Sequence, residues 1–385
     1  MNLYELLNKI GIKYCNDLAK IKAGTNGPYN HNETIYRNYA HWIIFFSRLY
    51  KMSNNLMFKD SAEKLGLHLL KPTARPNSLT FHCRTVRGKD SCNGLIGQAW
   101  IIEGLAELYN LCKKEEYISV AKEVFHLHDF DYELGLWHTL DIDGTKKEID
   151  GAFNHQLWFA YAGSLFLNKE DKGFEQLIIF LNKLESNLTI INDGLIYHPI
   201  ERIIKRTRER EKVSFLDGIK KALRKTYYQK SLTVFFDSNK SKLEKWRLSQ
   251  KYKSNGYHAF NMHAFVRLEK NIPNHIFWSK PVYKLMIRKL FDEDFLLSNL
   301  TNKYSYPYNP TGFEISNVIF YKKNIDDKKT IGLISKFLNI QFGTYFHFEN
   351  LEFSKNNFDK HTLTARLYEV MSLSKNIVSK IEIKY

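Results

Sequence analysis

Cysteine, proline and long apolar runs are scarce in this chain, and each scarcity excludes something. The 385 residues hold four Cys (Cys15, Cys83, Cys92 and Cys112) and no C-x-x-C pair. That usage fits reduced thiols in a cytoplasmic protein and leaves no zinc site built from cysteine. Only eight Pro occur, and no Pro/Gly/Ser-rich linker divides the chain, so a single domain over residues 1–385 is expected. No run of about 18 apolar residues is present, so no spanning helix is expected. The N-terminal MNLYELLNKIGIKYC lacks an apolar stretch with a small-residue cleavage site and does not read as a signal peptide. G-x-x-x-x-G-K-[ST], G-x-G-x-x-G and H-E-x-x-H are all missing, which argues against an NTPase, a Rossmann dehydrogenase and a zincin. His126 and His128 are two apart and diverge on a helix, so no metal is expected, and no cofactor is called for. No nucleic-acid module accompanies the positive charge.

What is abundant is aromatic and basic. The chain carries 23 Tyr and 27 Phe, with a formal net charge of +16. A surplus of this sign attracts nucleotide sugars, acidic glycans or anionic lipid headgroups. Pro199–Lys230 alone holds eleven Lys and Arg against four Asp and Glu. Within it Leu216, Ile219, Leu223 and Tyr227 recur at helical spacing beside Lys220, Lys221, Arg224 and Lys225. That pattern reads as a solvated excursion or as a basic amphipathic helix able to touch an anionic membrane at its inner face.

Six polar clusters stand in front of apolar helical stretches: GPYNHN at Gly27, SCNG at Ser91, DGAFNHQLW at Asp150, GYHAFNMH at Gly256, YPYNPTGFE at Tyr306 and DKHTLTARLYE at Asp359. Their spacing is regular apart from the third interval, which predicts an insertion at about 200–250. The helices behind them, such as LIGQAWIIEGLAELYNL from Leu95, have no polar stripe and should be buried all round. Those between them, such as GFEQLIIFLNKLESNL, bury one face only. Asn93, Asn154 and Asp359 are expected N-caps. Asp143-Gly144 and Asp193-Gly194, each flanked by apolar alternation, predict rim hairpins. The expectation is an all-α double ring of helices whose inner members start around one mouth.

At DGAFNHQLWFAYAG, GYHAFNMHAF, YNPTGFEI and HTLTARLYE the chain resembles the alpha/alpha-toroid superfamily of carbohydrate-active proteins. That superfamily includes N-acylglucosamine 2-epimerases, glucuronyl C5-epimerases, and toroid glycosidases and lyases. It is similar in particular to bacterial toroid proteins of surface-polysaccharide biosynthesis. The resemblance runs from about Gly27 to Leu373 and implies an (α/α)6 toroid acting on sugars. No complete catalytic motif of one toroid family is matched; TARLYE offers an Arg and a Tyr without the C5-epimerase flanks.

The residues themselves nominate a site. His155 in FNHQLW is the first candidate acid/base, because imidazole exchanges protons near neutral pH. His258 or His263 is the candidate partner on the other sugar face. Glu314 and Glu369 are the carboxylates to watch, with Asp150 and Glu103 as lesser ones; two flanking a glycosidic oxygen would make a hydrolase. Glu369 lies three residues from Arg366 and could simply pair with it. Arg366 could also clamp a carboxylate or phosphate. Asn93, Gln98, Asn154, Gln156, Asn261 and Asn309 offer hydroxyl contacts, and Trp158, Tyr308 and Tyr368 offer ring faces. Arg84 and His138, with His82 and Asp141, belong to loops and hairpins expected over the mouth. The favoured activity is a sugar epimerase or isomerase working by proton abstraction and return. The alternatives are a glycoside hydrolase or lyase, and a non-catalytic glycan-binding scaffold at the membrane face.

Overall fold

The computed structural model describes residues 1–191, 193–206, 232–323 and 328–384, with the backbone alone over 232–243. Among the described residues the α-helices of six residues or more are α1 (Leu3–Cys15), α2 (Tyr36–Ser53), α3 (Leu56–Leu69), α4 (Gly94–Cys112), α5 (Glu115–His126), α6 (Phe153–Gly163), α7 (Lys172–Asn182), α8 (Leu232–Asn271), α9 (Pro281–Lys289), α10 (Glu293–Thr301), α11 (Thr311–Lys322), α12 (Lys328–Tyr345), α13 (Lys360–Ala365) and α14 (Lys375–Lys380). α13 continues as a 3₁₀ helix over Arg366–Ser372.

Burial sorts these helices into two shells. α4 is buried continuously from Gly94 to Ala106, as a helix without a polar stripe must be. α5 buries Tyr117, Ile118, Ala121, Val124 and Phe125, a single face repeating every three to four residues. α2, α4, α6, α8, α11 and α13 with its 3₁₀ extension pack each against the next, and the last returns to α2. The closed inner ring with one-faced helices outside it is an (α/α)6 toroid. Close approach inside the ring is steric: a Cβ at Gly104 of α4 would lie 2.9 Å from the Ala40 Cα of α2. The two ends of the chain close the outer shell. The Leu3 N–H donates to Ile381 O at 2.9 Å and the Ile383 N–H to Met1 O at 3.1 Å. Buried apolar side chains from Leu3 to Ile383 form one continuous cluster. Among the described residues no helix is long and apolar enough to cross a membrane.

Both expected hairpins are present. β1 (Phe130–Asp131), β2 (Leu136–Leu140) and β3 (Lys146–Ile149) form an antiparallel sheet, with Gly144 at φ +85° between β2 and β3. β4 (Ile190–Ile191) and β5 (Leu195–Ile196) pair around Gly194 at φ +97°.

Three expectations need correction. The cluster at Gly256 does not start a helix; it lies inside α8, which runs unbroken from Leu232 to Asn271 because no Pro interrupts that stretch. The second half of the expected insertion is therefore the leading end of an inner helix. Residues 207–231, with the amphipathic pattern from Leu216 to Tyr227 and the membrane contact built on it, lie outside the described residues. The caps also differ. Asp359 caps α13 through the Thr362 N–H at 3.1 Å. Asn93 makes no cap bond, because its Oδ1 accepts from Arg84 Nη1 at 2.9 Å; Asp90 and Asp150 take the Gly94 and Leu95 N–H groups instead. Asn154 sits inside α6, which Ala152 precedes.

Candidate functional site

The loops before α2 and α4, the start of α6, the segment after β5, α8 and the turn before α11 converge on one cavity of ≈ 170 Å³. It is on the scale of a single sugar ring. It adjoins a wider groove of ≈ 810 Å³ that shares Arg84, Lys89, Asn93 and His155 with it and adds Asp90, Lys147 and Asp150.

His155 and Asp150 form a tight pair where the cavity meets the groove. His155 Nδ1 meets Asp150 Oδ2 at 2.8 Å. The carboxylate is fixed in turn by the Ala152 N–H at 3.1 Å and the Leu95 N–H at 3.2 Å. Burial alone would raise the Asp150 pKa, but His155 and these N–H donors outweigh it and hold the carboxyl below its ordinary range. An ionised Asp150 makes Nδ1 the donor, which leaves the Nε2 lone pair for the cavity when the ring is neutral.

Two further imidazoles line the cavity. His198 lies over Tyr257, with ring centres 5.0 Å apart and planes 17° apart, and its Nδ1 has no hydrogen-bond partner among the described residues. Burial, followed by the charges of His155 and Lys253, pushes its pKa down to about 3, so it is neutral near pH 7. His31 is lowered by burial and by Lys89 and Arg84. The walls are aromatic. Tyr29, Trp100, Tyr257, Phe260 and Tyr308 all reach the cavity. Tyr29 and Tyr257 touch through their hydroxyls at 3.2 Å, and the Tyr308 hydroxyl donates to Asn26 Oδ1 at 2.8 Å. Trp100 Nε1 and Asn154 Oδ1 are buried without a partner among the described residues. Two cavity-wall residues thus keep hydrogen-bonding capacity for a ligand.

Of the residues nominated from sequence, Arg84, Asn93, Asn154, His155, Tyr308 and Asn309 meet at this cavity. The others do not. Gln98 accepts from the Phe81 N–H at 2.7 Å and donates to Phe81 O and Cys92 O, fastening the loop before α4. Gln156 does the same to β2 through the Trp137 N–H and C=O and to Asp150 O. His258 is spent on backbone: the Ile196 N–H reaches Nδ1 at 3.3 Å, and Nε2 meets Met286 O at 3.0 Å. It joins β5 to α9 and does not face His155 across a substrate. His138 lies on β2, with Nδ1 3.1 Å from Lys147 O. Glu103 is buried against Arg267 and Arg48, and Asp141 holds the Ser91 and Cys92 N–H groups.

A second polar cluster lies under the Phe260 floor. The Arg366 guanidinium stands 5.1 Å from the Phe260 ring centre. It donates to Glu314 Oε1 at 2.9 Å, Glu369 Oε1 at 2.6 Å and Asn309 Oδ1 at 2.7 Å. Burial, with the Glu369 charge beside it, pushes Glu314 up to about 8 despite Arg366. Glu369 resists the same burial through Arg366 and His263 and stays below its ordinary range. Trp158 stacks beneath Phe260 at 4.6 Å, Tyr368 stacks on His41 at 5.4 Å, and Asn261 is fully buried. Glu314, Arg366, Tyr368 and Glu369 are thus absent from the cavity lining. Glu314, Arg366 and Glu369 are spent on one another within the inner ring. Among the described residues no three His, Cys, Asp or Glu side chains converge as metal ligands.

His198, His31, Lys89, Trp100 and Tyr257 also line the cavity and are not among the residues nominated from sequence. His198 stands between a predicted strand and Pro199, where the chain must turn back over the mouth; that was its signal.

No protein-family model matches the chain. It is 32% identical over 359 residues to "Archaeal glycosylation protein Q" of Haloferax volcanii, covering 92% of each chain. Its fold is similar to that of cellobiose 2-epimerase from Bacillus thermoamylovorans B4167 (TM-score 0.57, 10% identity, 95% of this chain and 98% of that one). It is similar also to that of a D-mannose isomerase (TM-score 0.58, 13% identity, 96% of each chain). A third is an inactive variant of the alpha-1,6-mannanase GH76A of Salegentibacter sp. HEL1_6 in complex with alpha-1,6-mannotetrose (TM-score 0.56, 9% identity, 98% of this chain and 100% of that one). At such identities these three likenesses speak for the fold.

Proposed function

Because the chain belongs to the family of the archaeal glycosylation protein Q, we propose that its cavity acts on a sugar unit of a glycan under assembly, as an epimerase or isomerase. The observation that carries the reaction type is the His155–Asp150 pair, with Nε2 left for the cavity. In this reading a neutral His155 takes the proton from a carbon α to the carbonyl of the open-chain sugar. The C–H electron pair moves toward the carbonyl and gives an enediolate. Asp150 stabilises the imidazolium that forms and keeps the ring in one orientation. Neutral His198 offers one N–H and one lone pair to the same cavity, as a group that polarises a carbonyl or hydroxyl must. Proton return to the neighbouring carbon gives isomerisation. Return to the opposite face of the same carbon gives epimerisation and needs a protonated acid on that face, which neutral His198 does not supply, so return by the His155 imidazolium is the better supported course. The aromatic walls suit the apolar faces of a sugar ring.

Cleavage chemistry has less support. It calls for two carboxylates flanking the bond. The carboxylates that reach the groove are Asp90, engaged by Arg84, and Asp150, engaged by His155. The test is NMR of a panel of aldoses and uronic acids incubated with the protein in D₂O. Deuterium entering a carbon-bound position, and lost in His155→Ala, is the expected result. New reducing ends or unsaturated products would replace this reading by hydrolase or lyase activity, and exchange that persists in His155→Ala would remove His155 from its role.

A further inference from the structure

The cavity carries more positive charge than proton transfer uses. Lys89 lines both the cavity and the groove. Lys253 of α8, half-buried, holds its Nζ 5.3 Å from the ring centre of Tyr29 and 5.6 Å from that of Tyr304. Lys303 stands 5.2 Å from the same Tyr304 ring. Tyr29 is itself a cavity wall, so the half-buried Lys253 contacts the back or rim of that wall, and the exposed Lys303 stands beside it on Tyr304. Neighbouring cations are neutralised: Arg84 by Asp90, and Lys147 by Asp141 at 3.6 Å. Lys89, Lys253 and Lys303 have no carboxylate within ion-pair distance among the described residues. They sense one another, because burial and then the Lys89 and Lys303 charges lower the Lys253 pKa. Like charges gathered beside a low-dielectric wall are unfavourable until an anion joins them, and they concentrate anions there.

We propose that Lys89, Lys253 and Lys303 form a recognition site for an anionic group on the sugar, a carboxylate or a phosphate, so that the substrates are acidic or phosphorylated sugars and not neutral ones. This rests on the reading of the cavity as a sugar site and deepens it. An ammonium is a point charge that accepts oxygen anions from many directions, which suits either group. The Tyr29 and Tyr304 rings add a cation–π attraction that favours the Lys253 and Lys303 ammonium groups at this position.

The experiment is calorimetric titration of the full chain with D-glucuronate, D-glucose 1-phosphate and D-glucose, at low ionic strength and at about 0.5 M salt. At least one anionic sugar is expected to bind about tenfold or more tighter than glucose, an advantage that salt erodes. Lys253→Gln and Lys89→Gln are each expected to shrink that advantage by about threefold or more, as removal of one charge from a partly screened site should. Which anion binds better separates carboxylate from phosphate. Equal affinity for all three sugars, an advantage untouched by both substitutions, or no binding by any of the three would overturn the proposal. Deuterium uptake followed on the same samples keeps the two readings apart. Anion preference without exchange removes the acid/base chemistry and leaves this site standing; exchange on glucose without anion preference does the reverse.

Discussion

One carboxylate oxygen, Oδ2 of Asp150, accepts both the His155 Nδ1–H at 2.8 Å and the Leu95 backbone N–H at 3.2 Å. The group that orients the proposed base is therefore also a cap of α4, and site and fold share an atom. Asp150→Asn keeps the shape but presents an amide that can donate to Nδ1 and select the wrong tautomer. Deuterium exchange into substrate should fall by roughly 10²–10⁴-fold. The weakened cap should cost about 1 kcal/mol in urea unfolding. An unchanged exchange rate in a folded variant would show that His155 does not depend on this carboxylate.

His258 gives the opposite expectation. Both of its ring nitrogens are committed to backbone groups of β5 and of α9. Replacing it by Leu strands a buried N–H and a buried C=O, at roughly 1–3 kcal/mol each. The expected outcome is a lowered urea midpoint with unchanged exchange per folded molecule. A selective loss of exchange at unaltered stability would return His258 to the catalytic set.

Much of the ring was legible because its signal is local. An apolar helix with a polar cluster at its head is a pattern within some fifteen residues, and the order of six such patterns maps onto the observed ring. The cluster at Gly256 misled because it carries the same composition in mid-helix, where only the lack of a break distinguishes it. The site was legible in part. His155 and Asn154 lie in the first turn of α6, where facing the mouth follows from position. Arg366, Glu314 and Glu369 also sit near inner-helix heads, but whether a side chain turns to the mouth or away from it depends on helix rotation, which composition does not encode. Asn93 failed as a cap because Arg84, nine residues away, claims its oxygen. Lys253 and Tyr29, separated by more than half the chain, meet only once the ring closes.

Buried imidazoles predict the pH profile of stability. Burial drives His128, His258 and His263 down to about 4 and His198 to about 3. Each binds a proton more readily unfolded than folded, so its contribution is complete above about 6.5 and is lost as pH falls toward 4. The slope is about 1.4 kcal/mol per pH unit for each group. Two carboxyls act oppositely: burial raises Glu33 to about 7 and Glu314 to about 8. They remain protonated in the fold where the unfolded chain ionises, so stability declines from about pH 4.5 to their folded values. The four imidazoles outweigh the two carboxyls below pH 6.5, and the carboxyls act alone above it. Urea unfolding across pH 4–9 should therefore peak near pH 6.5 and fall gently to pH 8. In Glu314→Gln the fall on the alkaline side should shrink; a profile identical to wild type would place Glu314 ionised at neutral pH.

The Arg366 cluster gives a last, asymmetric expectation. One guanidinium serves Glu314, Glu369 and Asn309, all buried, and lies against the Phe260 floor of the cavity. Arg366→Met removes the cation and leaves the ionised Glu369 with His263 as its remaining partner, at 3.3 Å. Breaking a buried pair from one side costs about 3–5 kcal/mol. Glu314→Gln should cost far less at neutral pH, because Glu314 is mostly protonated there and the amide oxygen still accepts from Arg366. The two variants, measured by urea unfolding at pH 7, should differ by at least about 2 kcal/mol. Binding should follow stability in only one of them. Arg366→Met loosens the support under Phe260 and should weaken sugar binding, whereas Glu314→Gln keeps the floor and should leave binding intact. Equal losses in both variants would mean that Glu314 holds its charge in the fold and that Arg366 balances two carboxylates.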